Sequence, residues 1–263
     1  MEWGKVSTAS ITGMLFTLIV SIGFPIVLGI IVRRKTHARI TSFFIGCGIF
    51  IGFALILEQI LHGIVLMAAG VVLHSNIFLY GLYGGLAAAL FEETGRLIAM
   101  KFFMKKSLSR GNALMYGVGH GGAEAILIVG LTSINNLIIS LLINSGGIQQ
   151  TLEPLPLSLQ QATYQQLEAL WLLPAYEFYL GGVERILAIV LQICLSVLVY
   201  KAVKAGRKKY FIGAFLLHFL VDFVTVVTAN AGIPAWTVEL EVMVIVAIIT
   251  WYTTKIYKAD EIL

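Results

Sequence analysis

The stretch LAAALFEETGRLIAMKFFMKK, residues 86–106, sets Glu92, Glu93 and Arg96 inside an otherwise apolar helical run that ends on a basic cluster. Its apolar length reads as a membrane-spanning helix, and its charges make it an unusual one. Each ionisable group at the centre of such a helix costs about 2.5–3.5 kcal/mol even on lenient insertion scales. A chain keeps three of them within five residues only if they face one another or a wet cavity. The segment therefore marks both a span and a candidate site.

The rest of the chain supports the membrane reading. Its 263 residues are 59% hydrophobic and 12% charged, with a mean hydropathy of +0.92, too little polar surface for a soluble domain of this length. Apolar runs of roughly 20 residues recur, each able to cross a bilayer core of about 30 Å. The short alternating segments of a transmembrane β-barrel are absent. The expectation is an all-α, polytopic transmembrane bundle of seven spans, near residues 10–32, 40–60, 77–100, 112–143, 178–200, 211–229 and 236–254. Residues 1–263 read as a single integral membrane domain without internal repeats. The fourth run is too long for one straight crossing, so its far end is expected to fray or follow the interface. The one long connection, 144–177, is rich in Gln, Leu and Pro and could hold an interfacial amphipathic helix in an outer loop. The first apolar run lacks a basic leader and is too long for a signal peptide, so it is expected to remain as the first span. Cys47 and Cys194 fall within spans and read as small packing residues.

Basic residues set the orientation. Arg33, Arg34, Lys35 and Arg39 follow the first span, Lys101, Lys105, Lys106 and Arg110 the third, and Lys201, Lys204, Arg207, Lys208 and Lys209 the fifth. With Lys255 and Lys258, fifteen of the eighteen basic residues fall on one side. Positive charge gathers on the cytoplasmic face, so the N-terminus is expected outside and the C-terminus in the cytoplasm. The net charge of +4 follows from this topology and calls for no nucleic-acid partner. A multi-pass cell-membrane protein, in a bacterial plasma membrane, is the expected setting.

The intramembrane polar groups form a set: Glu58 and His62, Glu92, Glu93 and Arg96, His120 and Glu124, Glu184 and Arg185, His218 and Asp222. Counted from the basic boundaries, Glu93, His120 and His218 each lie eight residues in, roughly 12 Å deep at 1.5 Å per residue. His120 with Glu124, and His218 with Asp222, are i,i+4 pairs that share a helix face. Adjacent glutamates point about 100° apart, so one of Glu92 and Glu93 should face a cavity while the other pairs with Arg96. Glycine and alanine dominate GLYGGLAAALFEE and GVGHGGAEA, allowing close helix approach and room beside His120. Glu184 and Arg185 cannot share a face and are expected to find separate partners in a bracing ion-pair network. Glu58 and His62, near the outer end of the second span, read as a polar lining rather than as chemistry.

A carboxylate and imidazoles at one depth suit water activation, with a glutamate as general base and a histidine positioning the water or donating to an oxyanion. The motifs EETGR (92–96), GHGGAE (119–124) and HFLVD (218–222), with GGVERILAIVLQICLSVLVY, resemble the YhfC family of intramembrane proteases. That family is similar in pattern to the CAAX-protease and bacteriocin-processing group and to PrsW-type proteases. The resemblance implies an all-α bundle hydrolysing a membrane protein or peptide substrate in the cytoplasmic half of the bilayer. It implies that Glu92 activates water with His120, that Arg96 holds Glu93, and that His218 and Asp222 stabilise the oxyanion, with Glu124, Glu184 and Arg185 in support. The wider group shows EExxxR where this chain has EExxR, which leaves the base open between Glu92 and Glu93. Gln192 stands where the family pattern suggests histidine, which weakens a catalytic role for the fifth span.

A metal-free glutamate mechanism, with no cofactor, is the favoured expectation, since the zinc signature HExxH is absent. Zinc remains possible on His120, His218 and Glu92. Two alternatives use the same residues: a proton-coupled transporter, for which no inverted repeat is visible, and a non-catalytic membrane scaffold.

Overall fold

The computed structural model describes residues 3–259. Four long helices come first: α1 (Thr8–Thr36), α2 (Ile40–His74), α3 (77–103) and α4 (Arg110–Ser145). Three short ones follow, α5 (Gly147–Leu152), α6 (Leu157–Leu167) and α7 (Ala169–Leu172). Three long helices complete the bundle, α8 (Ala175–Ala205), α9 (Lys208–Asn230) and α10 (Ala235–Ala259). No strand occurs among the described residues. Helices satisfy their own backbone groups, which is what a hydrocarbon solvent demands.

Local sequence sets the boundaries. The side chains of Ser7, Asn76 and Ser109 accept from backbone N–H groups in the first turns of α1, α3 and α4. Gly146 and Gly206 end α4 and α8 in the left-handed region, at φ 78° and 64°. Three helices widen to π geometry along their length, at Phe50–Glu58 in α2, Ala99–Phe103 in α3 and Ala125–Gly130 in α4. All three segments lie beside intramembrane polar residues, where π-bulges are often found in functional helices.

Among the described residues six helices are long and apolar enough to cross a membrane: α1, α2, α4, α8, α9 and α10. The glycines and charges of α3 dilute its hydropathy, yet it packs within the bundle against α9. A Cβ at Gly85 would sit 3.0 Å from the Phe219 carbonyl oxygen, and one at Gly81 2.7 Å from Val227. The first half of α4, Arg110–Glu124, is the most enclosed stretch. Its Gly119 lies directly on the backbone of Phe43 in α2, Gly117 and Gly121 on the Cα atoms of Ile193 and Ile189 in α8, and Gly122 on Pro25 of α1. These contacts are close because no Cβ intervenes, and they seat the His120 segment against three helices.

Two expectations change. α4 does not fray; it stays helical to Ser145, running through the π segment without a break. α2 runs on to His74, which makes Glu58 the nineteenth of 35 residues and moves it, with His62, into the helix interior. The 144–177 connection folds into α5–α7 and packs onto the N-terminal segment, where Trp3, Tyr164 and Trp171 form one aromatic cluster. Asn144 closes that end, accepting from Val6 N–H and donating to Val6 C=O, both at 2.9 Å. Cys47 and Cys194 are free thiols.

Candidate active site

Four helices converge on one carboxylate. Glu92 Oε2 accepts from His120 Nε2 at 2.8 Å and from the Gln192 amide Nε2 at 2.9 Å, and lies 3.9 Å from His218 Nε2. Residues on α3, α4, α8 and α9 thus meet at a single oxygen. Phe50 of α2 closes the far side of His120, ring edge to face at 5.3 Å. His120 is fully buried and Glu92 nearly so. Both hydrogen bonds to Glu92 Oε2 come from other helices, so its place depends on the assembled bundle.

Glu93, one residue on, points elsewhere. Its Oε1 accepts from His218 Nδ1 at 2.9 Å, and its Oε2 faces Arg96 Nε at 3.3 Å. The arginine is wholly enclosed: Nη1 donates to the Gln192 carbonyl at 2.6 Å and to Ser196 Oγ at 2.8 Å, and Nη2 donates to Gln192 Oε1. Glu93 therefore orients His218 while Arg96 balances its charge, and Glu92 is the member of the pair that lines the cavity. His218 also faces Asp222 Oδ2, 3.4 Å from its Nε2. Both ring nitrogens of His218 look at carboxylate oxygens, so a ring protonated on both has an acceptor for each donor.

A cavity of about 200 Å³ opens beside these groups, between α8, α9 and α10. Glu92, Gln192 and His218 form its floor, and Asp222, Glu184 and Glu239 line its walls. Of the residues singled out in the sequence, Glu92, Glu93, Arg96, His120, His218 and Asp222 come together. Glu124 and Arg185 stand beside them: Glu124 accepts from Gln192 Nε2 at 3.1 Å and from Arg185 Nη1 at 2.8 Å. Arg185 also donates to Glu184 through Nη2. The expectation that these sequence neighbours need separate partners is corrected, because two long side chains on one turn can lean toward each other.

Gln192 changes standing most. Its amide bonds Glu92, Glu124 and Arg96 at once, making α8 a structural part of the site. Glu239 on α10 was not singled out in the sequence; its carboxylate within an apolar run was the available signal. Glu58 and His62 are bonded apart from these groups, His62 Nε2 lying 3.2 Å from Glu58 and Nδ1 2.7 Å from Tyr83 Oη, although Glu58 lies within reach of the Glu92, His218 and Asp222 charges.

The donor chemistry here, two imidazoles with carboxylates, is of a type that binds zinc. The arrangement is different: His120 Nε2 is spent directly on Glu92, and His218 Nε2 stands nearly 4 Å from the same oxygen. Among the described residues no group of three or more His, Cys, Asp or Glu is set to hold a metal ion. As placed, His120, His218 and Glu92 do not form a coordination cage.

Residues 18–250 match the family described as YhfC intramembrane metalloprotease. The uncharacterized membrane protein YhfC of Bacillus subtilis (strain 168) is 40% identical over 240 residues, covering 89% of this chain and 92% of that protein. No solved structure matches. An all-helical, multi-pass membrane chain carrying this cluster, matched over nearly its whole length, belongs to the YhfC family of intramembrane metalloproteases.

Proposed function

We propose that the protein is an intramembrane endopeptidase in which Glu92 activates water to cut a peptide bond of a membrane-embedded protein or peptide. The carrying observation is the convergence on Glu92 Oε2, a carboxylate that lines a polar cavity and is aligned by His120 and Gln192. In this reading a water in the cavity gives its proton to Glu92 as its oxygen attacks the scissile carbonyl carbon. The oxyanion accepts from His218 Nε2–H, a ring oriented from behind by Glu93 and from the side by Asp222. Glu92 then returns the proton to the leaving nitrogen as the C–N bond breaks, so the base ends unchanged. Arg96 touches none of the reacting atoms and acts by positioning Glu93 and Gln192.

The same proposal takes α3 as the seventh span, with the N-terminus outside and the C-terminus in the cytoplasm. Glu92 is the sixteenth of the 27 residues of α3 and thus nearer the basic end, in keeping with chemistry in the cytoplasmic half. The family description names a metal, but the donors are not arranged as a cage, and no step of this scheme passes through one.

Terminal-peptide mass spectrometry on membranes carrying the wild type or a Glu92→Gln/Glu93→Gln variant tests the reading. New protein termini should appear only with the wild type and persist with a zinc chelator. Termini lost on chelation would move the chemistry to a metal. No difference between two folded proteins would favour transport or scaffolding.

A further inference from the structure

Outside the cavity, the seam between α8 and α10 carries a groove of about 650 Å³ on the surface of the bundle. Val190 of α8 and Met243, Ala247 and Trp251 of α10 make it apolar, and Lys255 and Lys258 close its basic end. Lys255 Nζ sits 3.6 Å above the Trp251 ring, which fixes one cation at that rim. Two side chains, Leu187 and Val246, line this groove and also line the cavity that holds Glu92 and His218. The partition between the lipid-facing groove and the polar cavity is therefore one side chain thick. The helix on one side of it, α10, is peripheral, packed chiefly on α8 and α9.

On the protease reading given above, a membrane-embedded peptide must leave lipid and bring its backbone to Glu92. A scissile backbone exposed in hydrocarbon has unpaired N–H and C=O groups, so it is stable only once inside a polar cavity. The shortest passage is the one where groove and cavity share their wall. We propose that the α8–α10 groove receives the apolar membrane-spanning segment of a substrate protein, which reaches Glu92 by displacing Leu187 and Val246. The two lysines at its end favour a segment flanked by carboxylates on the basic face of the bundle. Continuity with the cavity selects a peptide over a resident phospholipid, which would gain nothing from the opening.

Two readouts in the full-length protein test this. In a Cys47→Ser/Cys194→Ser background, a Val221→Cys substitution puts a thiol on the cavity wall, to be labelled in liposomes by lipid-soluble N-phenylmaleimide. Val246→Ala should speed labelling and Val246→Trp slow it, each by about tenfold, the equivalent of roughly 1.4 kcal/mol of packing change at the partition. Formation of new termini in membranes should fall with Val246→Trp in parallel. Labelling and cleavage that ignore both substitutions would overturn the route while leaving the protease reading intact. Absence of cleavage by the unsubstituted protein would remove that reading and the substrate with it, whatever the labelling shows. Phosphatidylglycerol that co-purifies, is lost on Lys255→Gln/Lys258→Gln, and leaves cleavage unchanged when lost would assign the groove to lipid and overturn the proposal.

Discussion

Two carboxylate–imidazole clusters lie inside this bundle, and they are built on different plans. Around Glu92 and Glu93, partners come from α4, α8 and α9, across sequence separations of 28 to 125 residues, with an arginine enclosed among them. Around Glu58, the partner is His62 one turn along the same helix, and a single bond to Tyr83 of α3 extends the group. No lysine or arginine is bonded to Glu58 among the described residues. The first cluster can exist only when four helices are assembled, whereas the second needs two adjacent ones. Two neighbouring buried carboxylates demand a fixed cation and a web of donors. A single one can be met by local hydrogen bonds.

That difference should appear first on removing the cation. Arg96→Ala leaves Glu93 facing an empty site and strips Gln192 of its main donor. Breaking a buried pair in this way costs about 3–5 kcal/mol, so folded yield and thermal stability in detergent should drop sharply. Glu93→Gln in the same chain should recover part of the loss. An Arg96→Ala protein as stable as wild type would break the contrast between the two clusters.

Gln192→Leu comes next. It keeps the volume but removes donors to Glu92 and Glu124 and an acceptor from Arg96. Leaving buried polar groups unsatisfied costs about 1–3 kcal/mol, and cleavage should fall further than stability because Glu92 loses one of its two aligning donors. Equal losses in turnover and stability would reduce Gln192 to a brace.

How far each plan could be read from sequence follows from the same physics. The charges of α3 stand out because glutamate and arginine are rare in apolar runs, and their spacing ties one of them to Arg96. His120, His218 and Asp222 stand out likewise. Gln192 stands out only against the family pattern, as a departure: a neutral amide barely perturbs hydropathy, and its importance comes from a convergence of α3, α4 and α8 that no local spacing reveals. The π segments are equally silent, since they follow from packing around the site and carry no signature residue. The caps that set the helix ends, Ser7, Asn76, Ser109, Gly146 and Gly206, were not read from the sequence, and the spans there fall up to five residues short of the helices. The reach of α2 to His74 was not legible either, because its last turns stay apolar past the point where a bilayer is already crossed.

The smallest effect is expected at the second cluster, where it is most informative. His62→Ala removes one contact to Glu58 and one to Tyr83 Oη. His62 is 23% exposed at its side chain, so the groups it leaves are not sealed from new partners, unlike Glu93. The loss should be that of ordinary hydrogen bonds, about 1 kcal/mol, seen as a modest fall in thermal stability with cleavage retained. Tyr83→Phe should cost less again, since Glu58 keeps its histidine. A cleavage rate that collapsed in His62→Ala while the fold held would make this group part of the chemistry, joined to Glu92 through the interior of the bundle. The division between a catalytic cluster and a local one would then have to be redrawn as a single path.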